Sequence, residues 1–282
     1  MFTTLITPLE LAAHLDDPNW IVVDCRFSLA DTGRGRAAYE QAHVAGAIYA
    51  HLNDDLSSTV IPGVTGRHPL PAPEAAAAAF GRLGISPGMQ VVAYDDMGGA
   101  LAAARLWWML RWLGHEAVAV LDGGWQRWLG ENLPTRRSIE TRPLQAFTAQ
   151  MRPELMVNAA QVDAMRQDPA ARLLDARTAD RYRGENETID PVAGHIPGAV
   201  SAPFIENLTS AGTFAPREQL QARYRALLGN IPAESVAVYC GSGVTAIHNL
   251  LAMKVAGLGD ARLYPGSWSE WITNPERPTA AG

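Results

Sequence analysis

The sequence predicts an α/β protein made of two tandem copies of one domain, each a largely parallel sheet flanked by helices. Three observations carry this. Short apolar runs alternate with helical stretches along the whole chain. Four signature segments of the first half recur, in the same order, in the second. The apolar run Val236 to Tyr239 ends at Cys240, and a Gly-rich loop and a helical stretch follow. In open α/β sheets ligands bind beyond the carboxyl ends of such strands.

Asp24-Cys25-Arg26 recurs as Asp175-Ala176-Arg177, and His43-Val-Ala-Gly-Ala47 as His195-Ile-Pro-Gly-Ala199. Val91-Val-Ala-Tyr-Asp95 recurs as Val236-Ala-Val-Tyr-Cys240, and Leu121-Asp-Gly-Gly-Trp125 as Tyr264-Pro-Gly-Ser-Trp268. The offsets are 151, 152, 145 and 143 residues, and this near-constancy indicates a duplicated domain. In the first half, Ile21–Val23, Val91–Ala93 and Val118–Val120 read as buried strands. Pro73 and Glu74 open a helix, and Ala100 to Leu113 reads as the helix after the central strand. In the second half, Leu173–Leu174, Val236–Val238 and Ala261–Leu263 are the matching strands, with a helix over Thr245 to Ala256. From Gly130 to Pro153 three prolines, several charges and no clear period suggest a linker. The expected division is a domain over 1–135, a linker over 136–153 and a second domain over 154–282.

Composition narrows the function classes. The 282 residues are 48% hydrophobic and 18% charged, as in ordinary globular domains. A net charge of −6 and a pI near 5.6 argue against nucleic acid or an anionic membrane as the main partner. The richest apolar stretch, Leu101 to Leu113, is broken by Arg105 and Arg111, so no membrane span is expected. The N-terminus lacks a basic region and carries Glu10, Asp16 and Asp17. No signal peptide is read there, and a cytoplasmic location with two free thiols is expected. No His/Cys/Asp cluster has metal-ligand spacing, and no cofactor is implied.

Cys240 is the candidate nucleophile. Gly241 and Gly243 let the following loop curl so that its N–H groups face inward, and the next helix adds its positive end. Such a setting lowers a thiol pKa from about 8.5 to roughly 3.5–7.5, and it suits the negative charge of a persulfide too. Cys25 has no Gly-rich continuation and reads as a small core residue. In the first half Asp95 holds the place of Cys240, so that half is expected to lack a nucleophile and to supply part of a cleft wall. His43 and His195 recur in both halves, including the one without a thiol, which favours a structural role. Trp107, Trp108, Trp112, Trp125 and Trp128 are explained by packing.

These segments, with Arg181-Tyr-Arg-Gly184 and Cys240-Gly-Ser-Gly-Val-Thr-Ala246, resemble the tandem-domain rhodanese family over nearly the whole chain. The resemblance implies a sulfurtransferase. In that family the cysteine takes the outer sulfur of a small donor as a persulfide and passes it to cyanide, a small thiol or thioredoxin. The loop is similar to that of the 3-mercaptopyruvate branch, whereas the thiosulfate branch typically has Arg and Lys where Gly241 and Ser242 stand. The resemblance assigns Ser242 to a proton relay and Arg181 to the donor's anionic group, with Gly241, Gly243, Val244 and Thr245 shaping the site. Two departures bear on the donor. Glu185 to Ala193, where the mercaptopyruvate branch has a second arginine, is acidic and has none. The relay aspartate falls at or beside Asn53, with Asp54 adjacent. Asp54 and Arg67 are the candidates for a contribution from the first half, Arg67 as a compensating cation.

The preferred expectation is a sulfurtransferase acting on 3-mercaptopyruvate, with thiosulfate:cyanide transfer as the alternative donor reading. A carrier or docking module that accepts persulfide sulfur from another protein is the alternative of a different class. A cysteine phosphatase would need an arginine six positions after the cysteine, where Ala246 stands.

Overall fold

Buried parallel strands are near-continuous apolar runs, and the first half supplies five. They are β1 (Leu5–Ile6), β2 (Trp20–Asp24), β4 (Ile48–Tyr49), β5 (Gln90–Tyr94) and β6 (Val118–Leu121), with β3 (His43–Val44) set apart. All five pair in parallel in the order β1-β6-β5-β2-β4. The computed structural model describes all 282 residues. The helices of this half are α1 (Pro8–Ala12), α2 (Arg34–Gln41), α3 (Pro73–Arg82), α4 (Ala102–Trp112) and α5 (Gly124–Gly130). Val22, Val92, Tyr94, Ala119 and Leu121 face one core with Trp125 and Trp128. Ile21, Val23, Val91, Ala93, Val118 and Val120, on the other face, are buried as well. Every residue of α4 is buried, including Arg105 and Arg111, so it is a helix without a polar face.

The second half repeats the plan with α6 (Ala159–Met165), β8 (Arg172–Asp175), α7 (Ala179–Arg183), β9 (Ala199–Ser201) and α8 (Arg217–Leu228). It continues with β10 (Val236–Tyr239), α9 (Ala246–Val255), β11 (Arg262–Leu263) and α10 (Ser267–Trp271). The sheet order β11-β10-β8-β9, all parallel, matches β6-β5-β2-β4 strand for strand. The equivalent of β1 shrinks to a single bridge, Met156 to Leu263. Both halves start their first helix with a capping box, Thr7 with Glu10 and Asn158 with Gln161.

The duplication extends to buried polar groups. Arg26 and Arg177 each form a forked ion pair with the strand-end aspartate two residues earlier, with Nη2 to Oδ2 at 2.6 Å in both. Each guanidinium also lies over a tryptophan, Trp125 at 4.5 Å and Trp268 at 4.8 Å. His43 stacks on Tyr39 and shares a hydrogen bond with its carbonyl at 2.7 Å. His195 does the same with Tyr182 at 2.8 Å. Identical partners in both copies make these histidines braces for the loops that follow.

The chain divides into two units that are not contiguous in sequence. The first contains Met1–Ser58, Leu70–Arg152 and Ser210–Phe214; the second contains Thr59–Pro69, Pro153–Thr209 and Ala215–Gly282. The stretch read as a linker therefore folds with the first unit. Within it β7 (Thr135–Arg136) pairs antiparallel with β3, and Gln145, Gln150 and Arg152 donate backbone hydrogen bonds to Gly81, Leu113 and Trp112. The segment 59–69 brings Arg67 and His68 into the second unit.

Candidate active site

Cys240 follows the last residue of β10 and is 3% exposed. Its backbone is fixed on both sides. The Cys240 N–H donates to Ser267 Oγ at 3.1 Å, and its carbonyl accepts from Trp268 N–H at 3.0 Å. The Gly241 carbonyl accepts from Ser269 N–H at 2.9 Å. Ser267 holds a left-handed backbone, φ 54, and its hydroxyl donates to the Tyr264 carbonyl at 2.9 Å. That conformation is costly for a residue with a side chain, and here it aims the hydroxyl at the cysteine's amide. Gly243 has φ 73, and a Cβ there would stand 2.2 Å from the Pro265 carbonyl oxygen, so the loop needs glycine at this position. Val244 is buried, and Thr245 is the N-cap residue of α9.

Three side chains converge on this loop within the second unit. His68 Nδ1 lies 2.8 Å from Ser242 Oγ, both residues being buried. A Cβ on Gly241 would meet Arg67 Nη2 at 2.7 Å and both Arg181 Nη atoms at 3.7 Å. Two guanidinium groups therefore stand against the residue after the cysteine. They are held from behind by carboxylates of the segment that follows α7. Arg181 donates through Nε and Nη2 to the two oxygens of Glu187, each at 2.9 Å, and through Nη2 to Asp190 Oδ2 at 3.0 Å. Arg67 Nη1 donates to Asp190 Oδ1. Arg67 is further fixed by its backbone N–H on Ser269 Oγ at 3.1 Å.

The two carboxylates differ. Burial alone would raise the Glu187 pKa, but the N–H groups of Asp190 and Ile189 and the Arg181 guanidinium hold it below the ordinary value. Asp190 goes the other way. Burial dominates and the neighbouring Glu187 opposes Arg67 and Arg181, so its pKa is raised.

The expected residues fall into place unevenly. Cys240, Gly241, Ser242, Gly243, Val244 and Thr245 form the loop, and Arg181 and Arg67 stand against it. Asp54 lies in the first unit, where its carboxylate pairs with His51 Nδ1 at 3.0 Å and is largely exposed. His68 carried no expectation, although it is the residue after Arg67. Its signal was faint: unlike His43 and His195, it has no counterpart in the other half. Cys25 is fully buried, and desolvation with Asp24 and Asp95 nearby pushes its thiol pKa well up, the opposite of an activated nucleophile.

In the first unit Asp95 shows what the equivalent loop does to an anion. Its oxygens accept N–H groups from Met97 at 2.9 Å, Gly99 at 2.8 Å, Leu101 at 3.0 Å and Ala103 at 3.3 Å. Its carbonyl accepts from Trp125 N–H at 2.9 Å, as Cys240 does from Trp268. A strand-end loop of this type can thus wrap a negative charge in backbone donors. No group of three or more His, Cys, Asp or Glu residues is placed to hold a metal ion, and no helix is long and apolar enough to cross a membrane.

Comparison with known proteins agrees with this architecture. The rhodanese-like domain pattern matches twice, over residues 7–131 and 158–274. A Pseudomonas aeruginosa protein that carries the name "probable 3-mercaptopyruvate sulfurtransferase" is 48% identical over 99% of this chain and 98% of its own. A Mycobacterium tuberculosis protein with the provisional name thiosulfate sulfurtransferase SseB is 39% identical over 99% of this chain and 97% of its own. The crystal structure of SseA from Escherichia coli, a 3-mercaptopyruvate sulfurtransferase, superposes with a TM-score of 0.82 at 32% identity, over 95% of this chain and all of that one. The chain belongs to the rhodanese family and is a tandem-domain sulfurtransferase.

Proposed function

We propose that the protein transfers sulfur from 3-mercaptopyruvate, through a Cys240 persulfide, to a thiophilic acceptor. The observation that carries this reading is the 2.8 Å contact between His68 Nδ1 and Ser242 Oγ beside the cysteine. Mercaptopyruvate needs a proton moved. The Cys240 thiolate attacks the donor sulfur, a sulfur–sulfur bond forms, and the carbon–sulfur bond breaks with its electron pair going to carbon. The thiol proton of the donor ends on that carbon as pyruvate leaves, and the cysteine keeps a persulfide anion. A buried hydroxyl paired with an imidazole is suited to take up and return that proton. Arg181 and Arg67 bind the donor carboxylate, so a second arginine comes from the segment 59–69 instead of the stretch before Gly194. Arg67 Nε is buried without a hydrogen-bond partner, which leaves a donor for an incoming anion.

In the second step cyanide, a small thiol or a thioredoxin-type dithiol takes the outer sulfur and restores the thiolate. The two cysteines are free. Thiosulfate is the second donor reading. It is favoured by the two guanidinium groups at Gly241 and by the name of the Mycobacterium tuberculosis relative. The test is kcat/KM for both donors with cyanide as acceptor, on wild type and Cys240→Ser. A preference for mercaptopyruvate that the serine variant abolishes supports the reading. A preference for thiosulfate overturns it, and inactivity on both donors with a reactive Cys240 points to a carrier.

A further inference from the structure

We propose that Asp190 is the specificity-determining residue that sets the charge of donor the site accepts. This rests on the donor-binding role given above to Arg67 and Arg181. The geometry is particular. Asp190 puts one oxygen on each arginine, Oδ1 on Arg67 and Oδ2 on Arg181, and its side chain is only 3% exposed. Glu187, 2% exposed, closes the other side of Arg181. Glu187 also meets Arg177, which is paired with Asp175, so the cluster behind Gly241 holds three cations and three carboxylates and has no net charge.

A donor there meets well-aimed N–H groups without a surplus of positive potential. A monoanion needs only the hydrogen bonds. A dianion brings a second negative charge into a partly buried site where the carboxylate of Asp190 already stands, and that repulsion is poorly screened. The same carboxylate fixes both guanidinium groups, so it aims the donor-binding forks while cancelling one of their charges. Asp190 also lies in the acidic segment Glu185 to Ala193.

The test is replacement by Asp190→Asn, which keeps an oxygen acceptor and removes the charge, with Asp190→Ser as a second neutral variant and Asp190→Glu as the charge-conserving control. Donor kinetics with thiosulfate and mercaptopyruvate are the first readout. Both neutral variants are expected to raise the thiosulfate-to-mercaptopyruvate ratio of kcat/KM by about tenfold or more, chiefly through KM, because a dianion gains twice what a monoanion gains. Asp190→Glu is expected to return the ratio towards that of wild type. The second readout does not use donors. The rate of Cys240 alkylation by iodoacetate, relative to iodoacetamide, is expected to rise in the neutral variants and not in Asp190→Glu. Equal loss on both donors with an unchanged alkylation ratio would overturn the proposal and leave Asp190 as a prop for Arg67. A wild type inactive on both donors would overturn the donor reading instead, while the alkylation ratio would still decide the role of Asp190.

Discussion

Removing the His68–Ser242 pair should separate the two donors. In His68→Ala or Ser242→Ala the 2.8 Å contact is lost, and with it the route for the donor's thiol proton. General acid–base assistance is worth about 10²–10⁴-fold. Each single variant should therefore lose about 10²-fold or more in kcat/KM for mercaptopyruvate, which is roughly 2.7 kcal/mol of transition-state stabilisation at the lower bound. Because the two side chains act through one proton path, the double variant should lose little more than either single one. The coupling in a double-mutant cycle should then nearly equal the single loss. Thiosulfate is the internal control. When its outer sulfur moves to Cys240, sulfite leaves with the bond's electron pair and no proton needs to move. Half-reactions with each donor, followed by release of pyruvate or sulfite, make the comparison. A loss confined to mercaptopyruvate supports the proton path. An equal loss on both donors, or fully multiplicative losses in the double variant, would refute it and make the pair a brace for the loop.

Other consequences are open to direct measurement. Burial pushes the Asp95 pKa up to about 6 from the ordinary 3.8 despite its four N–H partners. A raised carboxyl pKa means that the folded state keeps a proton the unfolded chain has released, so this group's contribution is full below about pH 4 and lost as pH rises to about 6. The stability gap between Asp95→Asn and wild type should thus shift towards the variant by about 2 kcal/mol between pH 4 and 7; a pH-independent gap in urea denaturation would contradict this. At Ser267, Ala should be less stable than Gly by about 1 kcal/mol, reversing their helix preference, because only Gly relieves the positive φ once the hydroxyl bond to Cys240 is gone. Chemical denaturation of the two variants reads that order. Arg181→Lys keeps the charge but not the fork that meets Glu187 and Asp190, so KM for mercaptopyruvate should rise about tenfold with kcat little changed. A fall in kcat alone would place Arg181 outside donor binding.

The parts of this molecule that local sequence controls were readable before the structure. Apolar runs became β2, β5, β6, β8 and β10, and the repeated Asp-x-Arg and His-x-x-Gly-Ala segments became matching ion pairs and histidine braces. The loop from Cys240 to Thr245 was legible because its glycines and its place after an apolar run are local signals. What long-range contact decides was not legible. Arg67 and His68 precede Ser242 by more than 170 positions, and only the fold places 59–69 in the second unit. Gly130 to Pro153 looked like a linker because its bonds go to backbone carbonyls of the first unit, which leave no periodic pattern in side chains. The acidity of Glu185 to Ala193 is visible in the sequence, but the pairing of Glu187 and Asp190 with the two arginines is a long-range contact that it does not show.

The central claim is that Cys240 carries the sulfur. It is tested most directly by intact-protein and peptide mass spectrometry after one addition of 3-mercaptopyruvate without acceptor. The account predicts one added sulfur atom on the Cys240 peptide, with pyruvate released in equal amount, and removal of that sulfur by cyanide. Added sulfur on Cys25, or pyruvate formed by Cys240→Ser at the wild-type rate, would contradict it.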